Sequence, residues 1–282
     1  MNVGEYLQYV PEIEKKIVDN KLDSIVFGMG PTAWLLPYIQ RSLLSDLRLW
    51  GAHDACRIMP ADDLVIMDSP TNSLHPDTTR HRHIIDARPK RVWIYLPAHN
   101  TWKALLHPSM HSVTEAVDWA VWKPECLPPD PRFKLEAPEH GRIHTLAVSP
   151  TGTTTLAWRE GCRRIGVIGV DMVKGHHHTY QWSAAVGRFF AKCAQHAHER
   201  GGVVVNLSPI TSLKEFAEWT PSESSSEPTS GNEPPEQNSS SSTASDSTAS
   251  APTSKSPGCA AATQDGKSAR TEELSKADKP GK

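Results

Sequence analysis

The sequence predicts a doubly wound α/β domain with a mostly parallel sheet, and three observations carry that expectation. Short β-branched runs such as IGVIGVD (165–171) lack apolar–polar alternation, as strands covered on both faces do. Runs of this kind recur along the chain, interleaved with stretches of helical spacing. Each run ends in small or polar residues, which the carboxyl edge of a parallel sheet would gather into one crevice.

In chain order, residues 3–20 predict a helix with Leu7, Val10, Ile13 and Ile17 on one buried stripe. Residues 23–27 (DSIVF) predict the first strand, which runs into Gly28-Met29-Gly30-Pro31-Thr32-Ala33 and an apolar helix start. Strand, glycine turn, then helix is the context in which such a turn contacts phosphate. Gly28 and Gly30 let the backbone approach a ligand, and Pro31 suits a first helical turn, where its missing N–H costs nothing. Residues 47–50 predict a second strand, closed by Gly51-Ala52-His53-Asp54-Ala55. Residues 64–67 predict a third, ending in Asp68-Ser69-Pro70. Residues 92–96 predict a fourth, ending in Pro97-Ala98-His99-Asn100.

The span 101–144 holds Trp102, Trp119, Trp122 and a proline-rich passage, and reads either as a lid or acceptor-binding insertion or as an irregular connection. His107 and His111 stand at helical spacing without a third ligand nearby, which is a weak metal signal. Ser149-Pro150-Thr151-Gly152 reads as a small-residue loop feeding a helix at 153–160, a ready anion cradle. Gly161 closes that helix, residues 165–169 form a buried strand, and Asp171 falls just past its end. Trp182, Val186, Phe189, Cys193 and Ala197 mark the apolar face of a long helix. VVVNLSP (203–209) gives the last strand, with Asn206 and Ser208 in reach of a nucleotide only if that strand neighbours the first. The total is at least six strands.

Composition sets bounds on this reading. Of the 282 residues, 1–219 form the expected Rossmann-like domain, whereas 220–282 are rich in Ser, Thr and Pro without an aromatic residue. Such a segment cannot offset its ordering entropy and is expected to be a disordered tail. The net charge of −2 gives no field for nucleic acid or membrane. No apolar run approaches the roughly 20 residues of a membrane helix, and the first residues lack a signal pattern. Five scattered cysteines without C-x-x-C predict free thiols in a cytoplasmic protein.

The ordered series G-x-G-P-T after strand one, G-x-x-D-A after strand two, T-G before a helix, R-I-x-V-I-G-V-D and V-x-N-L-S-P resembles one superfamily. It is similar to bacterial and phage glycosyltransferase-like proteins related to the family 42 sialyltransferases, whose Rossmann-like sheet is of the GT-A type, and to archaeal pterin diphosphokinase-like proteins. The resemblance spans about 22–216 and rests on the order of short motifs. It implies that Gly28, Gly30, Pro31 and Thr32 contact a nucleotide and that His53 and Asp54 lie near its base or ribose. It places Asp68 and Ser69 beside the leaving group, Thr151 and Gly152 around a phosphate, and Asp171 and His178 in the chemistry, with His178 as general base.

Three departures separate the chain from the sialyltransferases. Val173 stands where the first of two tyrosines is expected, His53 replaces an asparagine, and the segment between Asp171 and His178 is short. What the resemblance carries is therefore a nucleotide site and not sialic-acid transfer. Asp62-Asp63 is not a D-x-D, so neither a metal nor another cofactor is expected. The leading expectation is a metal-independent glycosyltransferase taking a small-molecule nucleotide sugar, with the acceptor open. The alternatives are a pterin diphosphokinase-like enzyme needing Mg²⁺ at Asp68 and Asp171, a dinucleotide binder built on Gly28-x-Gly30-x-x-Ala33, and a non-catalytic nucleotide-binding module.

Overall fold

Seven parallel strands form the central sheet of the computed structural model, in the order β5-β4-β3-β2-β1-β8-β9. The described residues are 3–68, 78–122, 143–146, 148–173 and 182–219, all within one compact unit, Met1–Thr248. The expected 220–282 tail lies outside them. The strands are β1 (Ser24–Phe27), β2 (Arg48–Ala52), β3 (Asp63–Ile66), β4 (Arg91–Tyr95), β5 (Thr114–Val117), β8 (Arg164–Ile168) and β9 (Val203–Asn206). A separate parallel pair, β6 (Trp119–Trp122) with β7 (Ile143–Leu146), stands beside them. The doubly wound α/β class expected from sequence is thus the class observed.

Alternation along the strands sorts two apolar faces. Val26, Trp50, Val65, Trp93 and Val167 pack on one side against helix α5 (Ser149–Arg159) and helix α6 (Ser183–His198). Ile25, Phe27 and Leu49 pack on the other side against helix α1 (Val10–Asp19) and the 3₁₀ turn Pro31–Tyr38. Leu64, Ile66, Val92 and Ile94 meet helix α4 (His99–Leu105) there through Trp102. Shorter helices complete the chain: α2 (Arg41–Leu44), α3 (Thr78–Asp86) and α7 (Lys214–Ala217). The expected stripe on α6 is observed, with Val186, Phe189, Cys193 and Ala197 buried. No described helix is long and apolar enough to cross a membrane.

Four expectations are corrected. The first helix begins at Val10, not residue 3, because Pro11 lacks the N–H that an earlier start would need, and Leu7 turns outward. The segment after β1 is 3₁₀ rather than α, with Pro37 inside it removing another donor. Ser149–Gly152 is not a loop but the first turn of α5, with Pro150 at a position where proline is tolerated. The span 101–144 is in part sheet: it supplies the edge strand β5 and the β6–β7 pair.

At the amino edge a charge network ties the strand starts together. Asp63, 2% exposed, accepts from Arg48 Nε at 2.7 Å, Arg91 Nε at 3.1 Å and Trp93 Nε1 at 2.8 Å, and Arg91 also pairs with Glu160 at 3.1 Å. Burial works against the charge of Arg48, but the hydrogen bond and charge of Asp63 outweigh it and raise its pKa. The two guanidiniums also stack on Trp50 and Trp93, 4.3 and 4.9 Å from the ring centroids. A groove of about 380 Å³ opens here, lined by Asp46, Arg48, Asp62, Asp63, Lys90 and Arg91. Its charges are matched within the groove, so Asp62 and Asp63 serve the sheet. Asp63→Ala is expected to lower stability by about 2 kcal/mol, below the usual cost of orphaning a buried charge because both arginines are part-exposed. Urea unfolding checks this.

Candidate functional site

The strand order reverses at β1, which lies between β2 and β8, so the carboxyl ends of β1 and β8 form the switch point of the sheet. Backbone fills it. Gly28 N–H donates to Ile168 O at 3.0 Å and Gly30 N–H to Gly169 O at 2.7 Å. A Cβ on Gly28 would sit 2.6 Å from Gly169 O, and one on Gly30 would sit 2.7 Å from both Gly169 O and Asp171 Oδ2. Gly169 adopts φ +73°, a conformation that L side chains rarely take. The glycines expected to admit a ligand therefore admit the neighbouring turn.

Asp171 is fully buried, and its carboxylate accepts Thr32 N–H at 2.8 Å and Thr32 Oγ1–H at 2.6 Å. Since Thr32 Oγ1 donates to Asp171, the 2.9 Å contact with Ser208 must carry the Ser208 proton. Gly169 N–H is shared between the two hydroxyls, at 3.1 and 3.3 Å. Asp171 O in turn accepts Ser212 N–H at 2.9 Å. The condition set for Ser208 fails, since β9 pairs with β8 and not with β1. Ser208 reaches Thr32 all the same, because the chain turns under the end of β8.

The first turn of α5 meets the same edge: Pro150 Cγ would lie 3.0 Å from a Cβ on Gly28. Its Thr151 is spent on the protein. Thr151 N–H donates to Val148 O at 2.9 Å, and its hydroxyl bonds Val148 O, Leu146 N–H and Thr145 Oγ1. The space a side chain would take at Gly152 is filled by Thr145, Met67 and Trp119. Ser149 and Pro150, both half-buried, are the part of the helix end beside the glycine turn.

Over β2 and β3 the edge carries ionisable groups. His53 follows β2 in a left-handed conformation, φ +53°, unusual for a residue with a Cβ. Its Nδ1 stands 3.2 Å from Asp54 Oδ1, and its Nε2 faces Asp68 Oδ2 across 3.6 Å. Trp102 presents its ring to His53, with centroids 6.2 Å apart, and donates Nε1–H to Asp68 O at 2.6 Å. Trp102 was not among the expected site residues; its partner lies far upstream, so no local pattern marks it. Cys56, on the same turn, is no nucleophile at neutral pH: burial pushes its thiol up to about 11, with the charge of Asp54 adding to the effect.

The structure thus brings Gly28, Gly30, Pro31, Thr32 and Asp171 into one seam and His53, Asp54 and Asp68 into one group, with Thr151 and Gly152 packed behind. His178 and Ser69 lie outside the described residues. His107 Nδ1 accepts Ser109 N–H at 3.2 Å and His111 Nε2 lies 3.3 Å from Leu106 O, so both serve the local backbone. Among the described residues no group of three or more His, Cys, Asp or Glu could hold a metal ion.

No family model and no curated protein matches the chain. A solved structure of the MAf glycosyltransferase from Magnetospirillum magneticum AMB-1 is matched over 67% of this chain at 10% identity, with a TM-score of 0.44. The chain covers 32% of that protein's length. At that level of likeness the comparison carries no argument about function.

The seam makes its own prediction. Asp171→Ala orphans two buried donors on Thr32, each worth about 1–3 kcal/mol. Thr32→Val, which keeps the shape but removes the hydroxyl, is expected to cost about half as much in urea unfolding.

Proposed function

We propose that the carboxyl edge over β1–β3 binds a nucleotide sugar and that the protein is a metal-independent glycosyltransferase-like enzyme. The observation that supports this best is the meeting of the α5 N-terminus, the glycine turn after β1 and the His53–Asp54–Asp68 group along one edge. A helix N-terminus carries partial positive charge, so the donor's phosphates belong at Ser149, the first residue of α5. The nucleoside then extends over the ends of β2 and β3. His178 enters on sequence grounds, as the base that takes the proton from an acceptor hydroxyl. The acceptor oxygen forms its bond to the anomeric carbon while the bond to phosphate breaks and the nucleotide departs with the electron pair.

A second reading, a nucleotide-binding module without transfer, is favoured by the fate of Asp171 and Thr151, whose polar atoms bond the protein's own backbone and side chains. The pterin diphosphokinase-like reading needs carboxylates gathered round Mg²⁺. Asp68 and Asp171 end strands three places apart in the sheet, about 14 Å at the usual strand spacing, which speaks for the other two.

Thermal-shift measurements with CMP, UDP, GDP, ATP and NADH test the common core of both readings. A bound mononucleotide at 100 times its Kd adds about 2.7 kcal/mol of stability. For a domain of this size that raises Tm by roughly 5–10 °C. No shift with any mononucleotide removes both readings, and a shift with NADH alone favours a dinucleotide site. His178→Ala is expected to leave nucleotide binding intact and to reduce sugar transfer by roughly 100-fold or more. Unchanged transfer removes His178 from the chemistry, and binding without transfer in the wild type selects the module.

A further inference from the structure

Resting on that reading, we infer that Asp68 recognises the ribose 2′-hydroxyl of the bound nucleotide, with His53 as the residue that positions its carboxylate. The resemblance would set Asp68 beside the departing phosphate, but elementary electrostatics argues otherwise. An ionised carboxylate only accepts hydrogen bonds and repels a phosphate, whereas a sugar hydroxyl is a donor it can hold.

The three side chains differ in how far they reach outward. His53 and Asp54 are 6% and 13% exposed, and Asp68 is 42% exposed. Asp68 is therefore the end of the group that meets a ligand, while the other two lie behind it. Each is held in turn. Asp54 Oδ1 sets the imidazole through Nδ1 at 3.2 Å, the imidazole edge faces Asp68 Oδ2, and Trp102 anchors the Asp68 backbone carbonyl at 2.6 Å. The same indole packs against His53, so one aromatic side chain fixes both members of the pair.

The placement along the edge agrees with one mononucleotide. The α5 N-terminus lies by the Gly28 turn at the end of β1, and Asp68 ends β3, two strand spacings away, about 10 Å. Met67, the residue before Asp68, packs beneath the first turn of α5, since a Cβ on Gly152 would stand 2.9 Å from its sulfur. Phosphate at the helix end and ribose at Asp68 thus lie along one continuous floor. A 2′-deoxynucleotide, lacking one donor, leaves the carboxylate short of a partner.

The test is calorimetric titration of the full-length protein with paired ribo- and 2′-deoxyribonucleotides: CMP and dCMP, UMP and dUMP, GMP and dGMP. The wild type is expected to prefer the ribonucleotide by roughly 10–100-fold, the range of a hydrogen bond to a charged group. Asp68→Ala is expected to weaken the ribonucleotide to the level of its deoxy partner and to leave the deoxy affinity within about threefold. Asp68→Asn, which keeps the side-chain shape, is expected to retain an intermediate preference, and unchanged thermal unfolding of both variants shows that the fold is kept. His53→Gln is expected to reduce the ribo preference without changing deoxy affinity, an effect that loss of general stability would not produce. Ribonucleotide preference that survives Asp68→Ala overturns the inference. Nucleotides that bind the wild type without preference overturn it alone and leave the nucleotide site standing. Failure of every nucleotide to bind overturns the site and the inference together.

Discussion

The carboxylate of Asp171, sealed inside the protein and held by the amide and hydroxyl of Thr32, is the constraint from which the arrangement of this sheet follows. A buried carboxylate is expensive unless donors meet it, and charge-assisted hydrogen bonds to two donors offset that cost. Those donors come from a turn 139 residues away in sequence, so the contact holds β1 against β8. The approach is close enough that glycine is required at 28, 30 and 169. Ser208 joins the same cluster from the end of β9, so three strand ends close on one buried point.

The switch point is closed by the chain itself. In open α/β sheets the crevice where strand order reverses is the usual ligand site. Here that crevice is occupied by the chain's own turns, and the part-exposed carboxylate of Asp68 lies past the end of β3. The backbone records the same division. His53 and Met172 take left-handed conformations just past the ends of β2 and β8, and strain of this kind persists where surrounding structure over-determines it. Lys21, the other non-glycine residue of this type among those described, ends helix α1, where such a conformation is ordinary. The amino edge instead shows matched charges around Asp63, as expected of an edge that maintains the sheet.

The class of fold was legible in the sequence because strand burial is written locally. The continuous apolar run at 165–170 and the stripe on α6 need no knowledge of distant partners. The strands 23–27, 47–50, 64–67 and 92–96 stand within one or two residues of those observed, since turn residues bound each of them. What could not be read was pairing across distance. The seam of Thr32, Asp171 and Ser208 is written in three separated segments, and glycine spacing suited to a ligand is equally suited to a neighbouring backbone. Trp102 and strand β5 were hidden for a similar reason. An edge strand with two exposed central residues carries little apolar signal, and Trp102 gains its meaning only from His53 and Asp68.

Helix α5 shows how a motif and its chemistry come apart. Thr151, Thr153, Thr154 and Thr155 are all buried, and each hydroxyl bonds a backbone carbonyl one turn back. Threonine in mid-helix lowers helix propensity, and this back-bonding lets it be buried without an orphaned hydroxyl. The helix therefore has a polar inventory that is satisfied internally and a surface small enough to lie between the sheet and β7. Thr151 goes further and bonds the backbone of β7 itself, so it staples the helix start to the second sheet. The Thr-Gly pair that looked like a phosphate cradle is thus explained by packing, and the weight of the site passes to groups that packing does not explain. His53 is one, held in a strained conformation between two carboxylates, and Asp68 is the other, turned outward from the same cluster.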